Sequence, residues 1–175
     1  MIEKSILIIL PAQDFNEQEY LNIKNILEKS NFKLFIASDA FALCIGNNGL
    51  KVRPDVSFFN INEKNFAAIL FLGRKGVKNY WNNSNLHSIA RSFHKNKKPI
   101  AAICSAPVIL AKAGLLSNIE AACYPADKTE LEREGAKYKD LPVVVDHKII
   151  TAQGAAAVTE FTHAVIDQIS KRFLL

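Results

Sequence analysis

Cys104 is the residue around which chemistry can be built. It stands directly between Ile100-Ala101-Ala102-Ile103, a wholly apolar run of strand character, and residues 108–116, an apolar segment compatible with a helix. Pro107 suits a first helical turn, where no N–H is needed. No loop separates the two segments, so the cysteine is expected on a tight strand-to-helix turn. Ala102 and Ala106 flank it at two residues on either side, small enough for the sharp bend of a nucleophile elbow. A thiol at a helix start meets the helix dipole and unpaired N–H groups, and both favour the nucleophilic, oxidisable thiolate. The amides of Ser105 and Ala106 could hold a developing oxyanion, with a second donor from the backbone at Gly73-Arg74.

A nucleophilic thiol needs a proton partner. The histidines His87, His94, His147 and His163 fall on a surface helix, in a hairpin turn and inside the last helix. None lies in a loop at the carboxyl end of the sheet, which argues against an ordinary Cys–His dyad. A carboxyl group from the first loop or helix, Glu17 or Glu19, is the better candidate. Burial beside a thiol would raise its pKa and let it donate a proton at neutral pH. Cys44 and Cys123, the remaining two of three cysteines, read as core residues. No CxxC and no zinc-type Cys/His spacing occurs, so free thiols and no bound metal are expected.

These residues must be positioned by alternating strands and helices. Strands are predicted at residues 5–10, 32–37, 67–72 and 100–103, with helices at 17–30, 84–94 and 108–116. Hairpins are predicted at 43–45 with 50–53, and at 143–146 with 149–151. A short strand near 121–123, a charged helix at 128–134 and a closing helix at 157–173 complete the chain. Repeats, low-complexity runs and linkers are absent from the sequence, so residues 1–175 are expected to form one doubly wound α/β domain. Ligands of such a sheet bind at the carboxyl ends of its strands. Four segments meet that rule: residues 11–16, 73–77, 104–106 and 153–157.

Composition narrows the function classes. The chain has 175 residues and is 49% hydrophobic and 22% charged, as a soluble globular protein is. No apolar run approaches the ~20 residues of a membrane helix, and the N-terminus lacks a signal-peptide pattern, so a cytoplasmic location and no membrane partner are expected. The net charge of +5 is uneven: residues 64–119 hold nine basic residues and no acid. No aromatic-interleaved or Arg-rich pattern accompanies that charge, so nucleic acid is not an expected partner.

The sequence resembles the DJ-1/PfpI (ThiJ) superfamily over nearly its whole length. The resemblance rests on Ile6-Leu7-Ile8-Ile9-Leu10, on the acidic Asp14-Phe15-Asn16-Glu17-Gln18-Glu19, and on Ala68-Ile69-Leu70-Phe71-Leu72-Gly73. It continues in Lys98-Pro99-Ile100-Ala101-Ala102-Ile103-Cys104-Ser105-Ala106-Pro107, Ala113-Gly114-Leu115-Leu116, Tyr124-Pro125 and Ile149-Ile150-Thr151-Ala152-Gln153-Gly154. It implies a flavodoxin-like, mostly parallel sheet sandwiched by helices, in a homodimer or higher homo-oligomer, with Cys104 as the reactive thiol. Among the acids it selects Glu19 over Glu17 as the protonated partner of that thiol and the general acid/base. Gly73, Arg74, Ser105, Tyr124 and Gly154 are implied as the oxyanion and substrate-binding positions.

Departures from the family pattern sharpen the expectation. The loop that commonly reads Pro-Gly-Gly is here Leu72-Gly73-Arg74. The protease-like branch carries histidine directly after the cysteine, where this chain has Ser105. The branch typified by DJ-1 has histidine where Tyr124 stands, and the His-x-Glu of glutamine amidotransferases is missing. The resemblance therefore implies a stress protein working as a cofactor-free glyoxalase or deglycase on small reactive carbonyls such as methylglyoxal, and not a protease. The alternatives are a redox sensor or chaperone whose Cys104 oxidises to sulfinate, and a degenerate binding domain whose site Arg74 fills.

Overall fold

A computed structural model of the chain describes residues 4–39 and 42–171. Its centre is a seven-stranded sheet in the order β11-β12-β8-β7-β1-β3-β6. The strands are β1 (Ser5–Ile9), β3 (Lys33–Ser38), β6 (Val56–Ser57), β7 (Ala68–Phe71), β8 (Ile100–Ile103), β11 (Val143–Asp146) and β12 (Ile149–Ala152). Every neighbouring pair runs parallel except the β11–β12 hairpin. The mostly parallel α/β sandwich expected from the sequence is the fold that forms.

Both faces of the sheet are covered, so β1, β7 and β8 are buried at every position and, Ser5 at the start of β1 apart, apolar throughout. Ile6 and Ile8 join one core with Tyr20, Ile23 and Leu27 of α1 (Glu17–Lys29) and Phe161, Val165 and Ile169 of α5 (Val158–Lys171). Leu7 and Ile9 join the other core, with Leu86, Ala90 and Phe93 of α2 (Ser84–Lys95) and Val108 and Leu110 of α3 (Pro107–Lys112). The alternation of side chains along β1 decides which helix each residue meets. Each fully buried Leu, Ile or Phe contributes roughly 1.5–3 kcal/mol, so this packing fixes the strand ends that carry the chemistry.

The chain leaves β1 toward β3 on one side and later returns to β7 on the other. The topological switch therefore falls between β1 and β7, where an open α/β sheet leaves a crevice at its carboxyl edge. The segments after β1, β7, β8 and β12 all end there.

Several elements differ from the sequence reading. Residues 11–16 are not only a loop: β2 (Gln13–Phe15) pairs with β4 (Cys44–Gly46), which forms the expected hairpin with β5 (Lys51–Val52). The helix expected at 108–116 stops at Lys112, because Gly114 turns to φ +77° and the Leu115 amide donates back to the Leu110 carbonyl. A small parallel pair, β9 (Glu120–Ala121) and β10 (Lys137–Tyr138), flanks α4 (Lys128–Arg133), and only a trace of it was legible near residue 121. The closing helix runs to Lys171, and residues 172–173 of its expected span lie outside the described residues. No helix among the described residues is long and apolar enough to cross a membrane.

Candidate active site

Cys104 follows the last residue of β8 at φ +63°, a left-handed backbone uncommon for a residue with a Cβ. Its amide donates to Ala152 of β12 and its carbonyl accepts from Tyr124 (2.9 and 2.7 Å). The turn is clamped from both flanks, so the strained geometry persists. The close approach of the neighbouring loop explains Gly73. A Cβ there would lie 2.4 Å from the Cys104 Cβ and 2.5 Å from the Ile103 carbonyl oxygen.

Glu19 arrives from α1. Asn16 caps this helix, its side-chain oxygen accepting the Glu19 amide at 3.1 Å. Asn-x-x-Glu is capping-box spacing, in which the glutamate normally folds back to the cap's own N–H. Here that N–H donates instead to the Gly73 carbonyl at 3.3 Å, and Glu19 turns inward. The Glu19 side chain is fully buried, and its Oε2 accepts the Gly73 amide at 3.2 Å. Oε1 is buried without a partner in full hydrogen-bond geometry among the described residues. The Cys104 thiol is near enough to stabilise the carboxylate. Burial outweighs that contact and the Gly73 bond, and it lifts the Glu19 carboxyl to about 7.

Glu17, two residues earlier, has a different task. Its carboxylate accepts the amides of Asn48 and Leu50 at 2.6 and 2.8 Å and so ties α1 to the β4–β5 hairpin. Of the two candidate acids, only Glu19 reaches the thiol.

The thiol does not behave as the elbow alone suggested. Burial first, and the neighbouring Glu19 carboxylate second, push Cys104 up to about 11, against the opposing amides of Arg74 and Ser105. The expected bias toward thiolate fails for a physical reason: α3 has six residues and begins at Pro107, so the sulfur gains little from a short dipole and loses much of its water. The donor pair also differs from one built on Gly73. Because the Gly73 amide is held by Glu19, the amides that face the sulfur are those of Arg74 and Ser105.

A cavity of about 300 Å³ opens onto this pair. It is lined by Glu19, Arg74, Cys104, Ser105, Tyr124 and Gly154 from the sequence reading, and also by Asn16, Lys75, Lys78 and Ala155. All four carboxyl-edge segments named from the sequence thus contribute to it. Tyr124 is about half exposed at the rim, whereas Ser105 is buried. The Ser105 carbonyl accepts the Trp81 indole N–H at 2.8 Å, a support for the elbow with no sequence signal. Gly154 is extended at φ 164° and has open space where a Cβ would stand, so its lack of a side chain widens the cavity without being a backbone requirement. No cluster of three or more metal-ligating side chains occurs among the described residues.

Arg74 does not fill the site. Its Nε donates to Asp14 Oδ1 at 2.7 Å, and its backbone sits at φ 89°, ψ −172°, a region essentially reserved for glycine. That conformation costs about 1–3 kcal/mol, while a half-exposed ion pair contributes about 0–1 kcal/mol. Arg74→Gly is therefore expected to raise stability by about 1 kcal/mol, read as a higher urea midpoint at unchanged slope.

The model of the DJ-1/PfpI family matches residues 4–168. An uncharacterized protein of Methanocaldococcus jannaschii is 32% identical over 174 residues, covering 98% of this chain and 85% of that protein. A deglycase of Pyrococcus horikoshii is 29% identical over 83% of this chain and 88% of its own. A glutathione-independent glyoxalase of Caenorhabditis elegans is 25% identical over 94% and 88%. Among solved structures, a ThiJ/PfpI domain protein from Brachyspira murdochii superposes with a TM-score of 0.93 at 28% identity, over 96% of this chain and 97% of that one.

Proposed function

The chain belongs to the DJ-1/PfpI family, and on that premise we propose that it is a glutathione-independent glyoxalase or deglycase-type enzyme acting on small reactive carbonyls such as methylglyoxal. The observation that carries this reading is the pairing of the Cys104 thiol with a buried carboxyl whose pKa lies near 7, in a cavity with no histidine among its lining residues.

The pair can run the reaction with its own protons. Glu19 as carboxylate takes the thiol proton while the sulfur bonds to the aldehyde carbon. The carbonyl oxygen, held by the Arg74 and Ser105 amides, receives that proton and becomes the hydroxyl of a hemithioacetal. Glu19 then removes the hydrogen on this carbon and returns a proton to the adjacent one, while the hydroxyl proton passes to the neighbouring carbonyl oxygen. The product is a thioester of a 2-hydroxy acid. Water cleaves it, releasing lactate and restoring the thiol. Methylglyoxal plus water equals lactate, so no external oxidant or reductant enters.

Burial of both groups suits the chemistry. The high thiol pKa keeps the resting sulfur protonated, and Glu19, which ionises near neutrality, supplies the base. The names of the deglycase and glyoxalase relatives agree with a carbonyl substrate.

Incubation with methylglyoxal and no added thiol, with product identified by proton NMR, tests the proposal. Lactate should accumulate far beyond the amount of protein. Capture of methylglyoxal on Cys104 without turnover would overturn it, and selective oxidation of Cys104 by mild peroxide in such a protein would favour the redox-sensing alternative.

A further inference from the structure

The cavity over Cys104 is cationic in a way that methylglyoxal, a neutral molecule, does not require. Three of its lining residues are the cationic Arg74, Lys75 and Lys78, and the acid in the lining is the buried Glu19. Lys75 and Lys78 belong to a single 3₁₀ segment, Lys75–Tyr80. In that geometry side chains three residues apart eclipse one another, so both lysines reach the same cavity from one edge. Arg74 is engaged by Asp14 through Nε, and Lys78 by Asp127 at 2.5 Å. Lys78 also stands 5.0 Å over the Trp81 ring. Lys75 is exposed and forms no ion pair among the described residues. Two cations are thus fixed in place by carboxylates outside the cavity lining, and one is left for a ligand.

We propose that the substrate is a 2-oxoaldehyde that also carries an anionic group, carboxylate or phosphate, bound by Lys75 with Lys78 beside it while the aldehyde carbon faces Cys104. This assignment rests on the carbonyl chemistry proposed above and narrows its substrate class. The volume of about 300 Å³ is at the small end for ligand pockets and suits a short-chain 2-oxoaldehyde that ends in a carboxylate or phosphate. An anion so placed would fix which carbon meets the thiol.

The test does not depend on turnover. Iodoacetate and iodoacetamide alkylate the same sulfur and differ by one negative charge. Their rates at Cys104 are measured by mass spectrometry at low salt and neutral pH. The ratio of iodoacetate to iodoacetamide rates should fall about threefold to fivefold in Lys75→Met, as expected for loss of one partly exposed charge within several ångströms. Lys75→Arg should restore it, and added salt should lower it in the wild type. Protection of Cys104 from iodoacetamide by glyoxylate, by glycolaldehyde phosphate and by acetaldehyde then separates the two anions. Stronger protection by either anionic aldehyde than by acetaldehyde supports the site and identifies the headgroup.

An alkylation ratio unchanged in Lys75→Met would overturn the anion site, as would protection no better than that of acetaldehyde. Failure of lactate formation with the ratio still dependent on Lys75 would overturn the glyoxalase reading and leave the anion site standing.

Discussion

Cys104→Ala is expected to lower lactate formation from methylglyoxal by more than about a thousandfold, the scale seen when a covalent nucleophile is removed. The sulfur is the only atom in the proposed reaction that bonds to substrate, so no neighbour can substitute for it. Cys44 and Cys123 are fully buried and do not line the cavity. The fold should survive. Alanine is tolerated in the same turn about as well as cysteine, and the clamping bonds to Ala152 and Tyr124 are made by backbone atoms. Stability should change by no more than about 1 kcal/mol. Steady-state kinetics together with thermal unfolding of the same preparation checks both halves.

Glu19→Gln is expected to move activity and stability in opposite directions. Activity should drop roughly a hundredfold to ten-thousandfold, because the base for the thiol and the carrier between the two carbons are lost together. Stability at pH 8 should rise. The carboxyl stands at 4.5 unfolded and about 7 folded, so its folded pKa is raised. Its contribution is fully present below the unfolded value, falls as pH rises through that window, and is gone above about 7. The ionised form thus costs the native state roughly 3 kcal/mol above neutrality, at 1.36 kcal/mol per pKa unit. Glutamine can keep the bond from the Gly73 amide and carries no charge to bury. The variant should therefore melt roughly 6–10 °C higher than wild type at pH 8, with the gap closing toward pH 4.5. A carboxyl kept at this cost to stability is the mark of a site built for proton transfer.

How far the sequence could be read follows from what each signal depends on. The apolar runs of β1, β7 and β8 are local, and so is the abrupt passage from Ile103 to Pro107, so the sheet and the elbow were legible. Glu19 was singled out only through the family resemblance. Its local context, three residues after Asn16, reads equally well as a capping box on a solvated helix start. What turns it inward is the Gly73 carbonyl, which takes the cap's N–H from a strand more than fifty residues away. Once turned inward, Glu19 occupies the Gly73 amide and leaves Arg74 as the donor of the Gly73-Arg74 pair, a choice no spacing rule contains. The thiol's raised pKa has no local signal, because a helix dipole is legible at the elbow and the loss of water around the sulfur depends on segments that only the fold brings over it. Lys75 and Lys78 were visible only as part of an acid-free stretch. Their convergence needed the 3₁₀ turn after Arg74, which the glycine-poor Leu72-Gly73-Arg74 loop does not announce.

The central claim is that Cys104 and Glu19 act as one proton-sharing pair. It is tested most directly by the pH dependence of kcat/KM for methylglyoxal, measured side by side for wild type and Glu19→Gln between about pH 5 and pH 9. The pair becomes competent when it loses its first proton, so the wild-type value should rise with pH through an inflection near 7 and then level, and the variant should show no such inflection. Profiles that superimpose, or a wild-type rise only near the ordinary thiol value of 9, would contradict it.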